Sequence, residues 1–271
     1  WLASRGRIAI GGIDTRRLTR AIRQQGAPHA ALAHNSDGVF DVEALVAAAR
    51  GFAGLEGMDL AKDVSCKQSY RWNEMRWAWP DGYTAQENAP YKVVAIDYGA
   101  KRNILRCLAS AGCRVTVVPA ATPAEELLAM EPSGILFSPG PGDPKQLDYV
   151  VDNTRQVLGQ VPVMGICLGH QIIARALGAD TFKLKFGHRG GNHPVKDLAT
   201  GRIYITAQNH GYAVEAGSLG GDLEISHINL NDDTVEGLTH RNMPMFTISD
   251  STNITMRLRR TLRKSHKGTG M

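Results

Sequence analysis

Cys167 stands between two glycines in Gly165-Ile166-Cys167-Leu168-Gly169, where an apolar run gives way to a helical pattern. Residues 161–166 read as a short buried strand, whereas Ile172, Ile173, Ala176 and Leu177 recur at helical spacing before Gly178 ends the run. The pentapeptide is therefore expected to be a strand-to-helix turn. A turn this sharp needs residues without Cβ beside its apex, which leaves the apex side chain exposed and aimed away from the sheet. The unsatisfied N–H groups and positive dipole end of the following helix favour thiolate over thiol. Cys167 is thus a candidate nucleophile. Without that frame, a lone cysteine is more often a small apolar core residue.

A second loop, FSPGPGDP at residues 137–144, also follows an apolar run, GILF. Its prolines and glycines fix a rigid turn, with N–H groups at Gly140 and Gly142 that a ligand can approach closely. Alone it is only a turn. If it lies beside Cys167, the Gly140 and Leu168 N–H groups together could form an oxyanion hole for a tetrahedral intermediate.

The elements that must position these loops follow from periodicity. From Tyr91, strand and helix patterns alternate: KVVAID, KRNILRCLASAG, RVTVVPA, PAEELLAM, GILFSPG, YVVDNTRQVLGQ and VPVMGI, then the helix after Cys167. Repeated βα units predict an α/β fold, a mostly parallel sheet flanked by helices. Ligands in such sheets bind beyond the carboxyl ends of the strands, where Cys167 falls. Residues 180–246 change to strand-and-turn texture, which predicts an antiparallel extension of the sheet. Upstream, Asp14 is expected to cap a helix with Leu18, Ala21 and Ile22 inward, and Asp41 one with Val42, Leu45, Val46 and Ala49 inward. RIAIGGI, at residues 7–13, reads as a strand with nothing before it, so this region is expected to be the back end of a domain whose front is absent. The expected organisation is residues 1–61 as the C-terminal part of a smaller α/β domain and 62–90 as a linker whose aromatic rings pack across a domain boundary. Residues 91–246 form the main domain and 247–271 a divergent basic tail.

Composition excludes several classes. In 271 residues, 43% are apolar and 21% charged, which fits a globular protein rather than a disordered or fibrous one. No run approaches the roughly 20 apolar residues that span a bilayer, and the N-terminus lacks a signal-peptide pattern, so no membrane partner and a cytoplasmic location are expected. Four cysteines, Cys66, Cys107, Cys113 and Cys167, show no metal-type spacing, which predicts reduced thiols and no metal site. The net charge is +5, yet six Lys/Arg and one Asp from Thr247 onward leave the first 246 residues with 25 charges of each sign. A neutral body argues against a nucleic-acid partner.

SPGPGDP, GICLGHQ, KFGHRGGNHPV and QNHGYAV, in this order, resemble the class I glutamine amidotransferase family, and within it the small-subunit branch of the carbamoyl-phosphate synthetases. DYGAKRNILRCL, GGIDTRRLTRAIRQQGA and DVSCKQSYRWNE resemble other regions of that branch. The resemblance implies a flavodoxin-like class I amidotransferase fold and hydrolysis of L-glutamine at Cys167. It implies delivery of ammonia to a large synthetase subunit, which uses bicarbonate, ATP and Mg to make carbamoyl phosphate for pyrimidine and arginine synthesis, with no cofactor in this chain. By motif position it implies that Gly140, Gly142, Leu168, Gln171, Asn209, Gly211 and Tyr212 hold the glutamine. Gln171, one helical turn past the nucleophile, can point back at a substrate, and the residues around Asn209 offer donors and acceptors for an amino-acid head group. Taken alone, Asn209-His210-Gly211 is a plain turn.

The family completes its nucleophile with a His-Pro-Glu motif after the last core strand. Here Ser251 falls at the His position and Asn253 at the Glu position, and neither can act as a base near neutral pH. His170 is expected to pack rather than abstract a proton. A change of reading frame near residue 247 would account for the divergence, so weak activity is expected of this chain. The alternatives are another class I amidotransferase and a non-catalytic partner that stabilises the large subunit.

Overall fold

The computed structural model describes residues 2–249. The chain forms two compact units, Trp1–Glu56 and Gly57–Met271. In the first, helix α1 (Thr15–Gln25) is capped by the Asp14 carboxylate, which accepts from the Arg17 N–H at 2.9 Å. Helix α2 (Val42–Gly51) is capped in the same way by Asp41 through the Ala44 N–H. The expected inward faces are not sealed, because no residue of either helix is buried and Leu18, Val42 and Val46 are exposed. A unit of this size has too little interior to cover two apolar stripes. Residues 7–13 form no strand, contrary to the alternation in RIAIGGI, and Ile8, Ile10 and Ile13 are exposed. Alternation marks a strand only where another strand supplies the ladder.

The second unit is built on one ten-stranded sheet. Its strands are β1 (Tyr70–Trp72), β2 (Tyr91–Asp97), β3 (Cys113–Pro119), β4 (Gly134–Phe137), β5 (Val163–Ile166), β6 (Thr181–Asp197), β7 (Ile203–Val214), β8 (Leu223–Asn229), β9 (Val235–His240) and β10 (Met245–Ile248), in spatial order β1-β3-β2-β4-β5-β10-β9-β7-β6-β8. The run from β3 to β10 is parallel, and the strands from β9 to β8 extend it antiparallel. Helices α3 (Ala61–Val64), α4 (Arg102–Ser110), α5 (Ala124–Ala129), α6 (Asp148–Val157) and α7 (Leu168–Ala176) complete the unit.

Apolar alternation along β2 explains the layers. Val94 and Ile96 join a core with Leu127, Val150 and Ile172 of α5, α6 and α7, while Val93 and Ala95 join a second core with Ile104, Leu105 and Leu108 of α4. Both faces are covered, as a parallel sheet requires. β10 is the hinge of the topology: it pairs parallel with β5, Ile248 opposite Ile166, and antiparallel with β9.

Within residues 62–90 the structure has an edge strand, β1, antiparallel to β3. The aromatic rings there do not all pack as expected: Trp79 is 82% exposed and touches Trp77, itself exposed, at a centroid distance of 6.4 Å. Tyr83 instead lies beneath the Arg106 guanidinium, 4.1 Å away. Among the described residues, no helix is long and apolar enough to cross a membrane.

Candidate active site

β5 ends at Ile166 and α7 begins at Leu168, so the whole reversal falls on Cys167. Its backbone lies at φ 52°, ψ −109°, in a region where a residue with a Cβ is strained. Strand β10 and the first turn of α7 hold it there: the Cys167 N–H donates to the Ile248 carbonyl at 2.9 Å, and the Gln171 N–H donates to the Cys167 carbonyl at 3.1 Å. Both flanking glycines are sterically required. A Cβ on Gly165 would stand 2.7 Å from the Gly169 carbonyl oxygen, and one on Gly169 would run into the Phe137 carbonyl.

The loop after β4 meets this turn. The Gly169 N–H donates to the Ser138 carbonyl at 3.1 Å, and Ser138 Oγ accepts from the Tyr98 N–H at 2.9 Å. A Cβ on Gly140 would collide with the Tyr98 carbonyl and Leu168 Cδ2, so only glycine fits between them. The Gly140 and Leu168 N–H groups are thereby brought onto the Cys167 sulfur, where both favour the thiolate. Gly142, at φ 101°, lies against the Met58 carbonyl and Leu60, where a Cβ would come within 2.8 Å of that carbonyl oxygen.

Cys167 is only partly buried, yet burial opposes the expected thiolate. Burial outweighs the two N–H groups and the Lys101 charge, and with the nearby Glu236 carboxylate it pushes the Cys167 thiol up to about 11. The sulfur's hydrogen-bond contact is the Asn209 carbonyl at 4.0 Å. Lys101 lies within DYGAKRNILRCL, but nothing in that segment marks it as facing the sulfur, whereas Glu236, inside the apolar stretch VEGL, carries the signal of a buried charge. Burial opposes ionisation of Glu236, but the His188, His210 and Asn229 side chains that face it hold it well below the usual carboxylate range.

Gln171 is buried and points toward β7, where its Nε2 donates to the Tyr212 carbonyl at 2.8 Å. The same oxygen accepts from His210 Nδ1 at 2.8 Å, so both of its lone pairs are used. Gly211 falls where the β6–β7 ladder shifts register, between the pairs Lys183–Tyr212 and His188–His210. Cys167, Gly140, Leu168 and Asn209 thus converge at the sulfur, with Gln171 and Tyr212 bonded to each other behind them.

His170 is fully buried; burial lowers its pKa to about 3, and its Nδ1 lies 2.8 Å from Thr247 Oγ1 on β10. It is a packing residue. Among the described residues, no histidine hydrogen-bonds the Cys167 sulfur. Ser251 and Asn253 lie outside the described residues.

Residues 94–248, the segment that carries the elbow, the proline loop and β10, match the family model for "Glutamine amidotransferase class-I". The chain belongs to the class-I glutamine amidotransferase family. It is similar to a carbamoyl phosphate synthase small chain of Ruegeria pomeroyi, with 62% identity over 251 residues, covering 92% of this chain and 65% of that one. A carbamoyl phosphate synthase small chain of Caulobacter vibrioides is 50% identical over 250 residues, covering 92% and 64%. The chain therefore spans just under two thirds of the length of these curated relatives. Its amidotransferase fold is also that of a Thermoplasma acidophilum crystal structure named for a component of GMP synthase, which superposes with a TM-score of 0.52 at 21% identity over 66% of this chain and 92% of that one.

Proposed function

We propose that this amidotransferase is the glutamine-hydrolysing component of a carbamoyl-phosphate synthase, and that its present C-terminus leaves it impaired. The observation that carries the reading is the convergence of the Gly140 and Leu168 N–H groups on the sulfur of a strained, glycine-framed Cys167. In the reaction, the Cys167 thiolate attacks the side-chain carboxamide carbon of L-glutamine. The carbonyl oxygen takes the negative charge and the two N–H groups stabilise it. Collapse breaks the C–N bond as the departing nitrogen takes a proton and leaves as ammonia, and the γ-glutamyl thioester that remains is hydrolysed by water to glutamate with return of the Cys167 thiol; with no described imidazole at the sulfur, water supplies the proton. Gln171, Asn209, Gly211, Gly142 and Tyr212 hold the amino-acid part. The ammonia passes to a large synthetase subunit, the partner that uses ATP and Mg.

A second reading, a non-catalytic partner that stabilises the large subunit, is favoured by one observation. The Cys167 thiol is held up near 11, and no described imidazole bonds to it. Covalent labelling separates the two. A chloroketone analogue of glutamine should modify Cys167, as mapped by peptide mass spectrometry, and excess glutamine should protect it. Labelling that glutamine does not slow would mean that no glutamine site exists and would leave the second reading.

A further inference from the structure

His188 on β6, His210 on β7 and Glu236 on β9 come from three strands of the antiparallel extension and are all buried. One nitrogen from each ring and a carboxylate oxygen lie within 4.8 Å of one another. The hydrogen-bond partners fix where the ring protons sit. His210 Nδ1 faces the Tyr212 carbonyl, which can only accept, so Nδ1 carries the proton. Its Nε2 is left without a hydrogen-bond partner, 3.6 Å from Glu236 Oε2, which also has none.

On His188, Nε2 donates to Asp232 Oδ2 at 2.7 Å, which turns Nδ1 toward Glu236 Oε1 at 3.0 Å. The Asn229 amide nitrogen donates to the same Oε1 at 2.8 Å and stands 3.4 Å from His188 Nδ1. An amide N–H in that place fits a bare lone pair on Nδ1 better than a second N–H. Two ring lone pairs turned onto one carboxylate repel it and each other unless positive charge stands between them. Two extra protons or one dication would supply that charge.

The dication accounts for more of the arrangement. The outward nitrogen of each ring is held by a carboxylate (Asp232) or a backbone carbonyl (Tyr212), which is how ligating imidazoles are oriented. The 3.0 Å from His188 Nδ1 to Oε1 and the 3.6 Å from His210 Nε2 to Oε2, the two oxygens of one carboxylate, lie on either side of the edge of a tetrahedral zinc site, about 3.3 Å for bonds of about 2.0 Å, and the donor set, which spans up to 4.8 Å, must draw in to close on one ion. Two imidazoles and a carboxylate suit Zn²⁺ rather than Mg²⁺ or Ca²⁺. Cysteine spacing could not reveal such a site, because its donors come from separate strands and include no thiol.

We infer that His188 Nδ1, His210 Nε2 and the Glu236 carboxylate bind one zinc-type divalent cation, with a fourth position open to water or to another donor. His193, whose buried Nδ1 has no partner and whose ring lies 5.1 Å from that of His188, is a candidate for that donor. The cation cross-links β6, β7 and β9. It also fixes the His210 ring that shares the Tyr212 carbonyl with Gln171, so it braces the strand carrying Asn209 and Gly211 from behind.

The test uses the full chain, stripped with chelator and dialysed against Zn²⁺, with metal content measured by mass spectrometry and Co²⁺ as a spectroscopic substitute. The expected result is one retained Zn²⁺ per chain, Co²⁺ visible bands of four-coordinate intensity, and a higher melting temperature with metal. Glu236→Gln should lose the equivalent, and Cys167→Ser should keep it. Asp232 is half-exposed, so Asp232→Asn should fold and should weaken binding about 10- to 100-fold; it decides the matter if Glu236→Gln does not fold. Absence of a retained equivalent would overturn the inference in favour of a doubly protonated cluster. Unchanged affinity in Asp232→Asn, or loss in Cys167→Ser, would overturn it by placing the ion elsewhere. None of these readouts depends on glutamine turnover, so the site stands or falls separately from the proposed reaction.

Discussion

At Cys167 two influences oppose each other. The turn places the sulfur against the Gly140 and Leu168 N–H groups and near Lys101, all of which favour thiolate, yet burial and Glu236 win and hold the thiol near 11. A group whose pKa is raised stays protonated through neutral pH and ionises only as the pH climbs toward that value. Alkylation of Cys167 by iodoacetamide should therefore accelerate about tenfold per pH unit from pH 7 to 9, because the thiolate is the nucleophile, and level off only near 11. A plateau below pH 8 would show that the helix terminus dominates after all. The residue-scale chemistry was legible in the sequence because a glycine-framed apex is a local requirement. The balance of charges was not, since Lys101, at the N-cap of α4, and Glu236, on β9, act on the sulfur from positions far from Cys167 in sequence.

The elements around the site are fastened by close backbone approaches. Gly169→Ala would drive a Cβ into the Phe137 carbonyl at the start of α7, where little can give, and overpacking of this kind costs typically ~1–3 kcal/mol. Urea unfolding should show a loss in that range or larger. α7 and β10 are tied by His170 Nδ1 and Thr247 Oγ1, both buried. Thr247→Val should cost about 1–3 kcal/mol by leaving the ring nitrogen unsatisfied, and an unchanged urea midpoint would mean that water replaces the hydroxyl. Exposed caps behave more simply: Asp14→Ala should lower the stability of α1 by about 0.5–2 kcal/mol, read by helical circular dichroism on heating. The βα alternation and both caps could be read from local pattern. The failed strand at residues 7–13 and the unforeseen β1 share one cause, since strand pairing depends on what lies alongside and not on the segment's own residues.

For the molecule as a whole, the distribution of charge matters more than any single contact. The body carries balanced charge and the excess lies from Thr247 onward. Deleting residues 257–271 should abolish salt-sensitive retention on heparin while leaving the unfolding transition of the remainder in place. Retention that survives the deletion would reveal a basic face on the folded body.

Glutamine turnover by the full chain, compared with Cys167→Ser and with a chimera whose residues from 250 onward come from a relative carrying Tyr-His-Pro-Glu in register, supplied with that relative's N-terminal region, tests the central claim most directly. General acid–base assistance is worth about 10²- to 10⁴-fold and members of a triad act as a unit, so the chain as it stands should be slower than the chimera by at least the upper part of that range. Cys167→Ser should be inactive in both. If the unmodified chain hydrolyses glutamine at a rate that Cys167→Ser abolishes and the chimera does not exceed, another residue supplies the base and the account of an impaired amidotransferase is wrong.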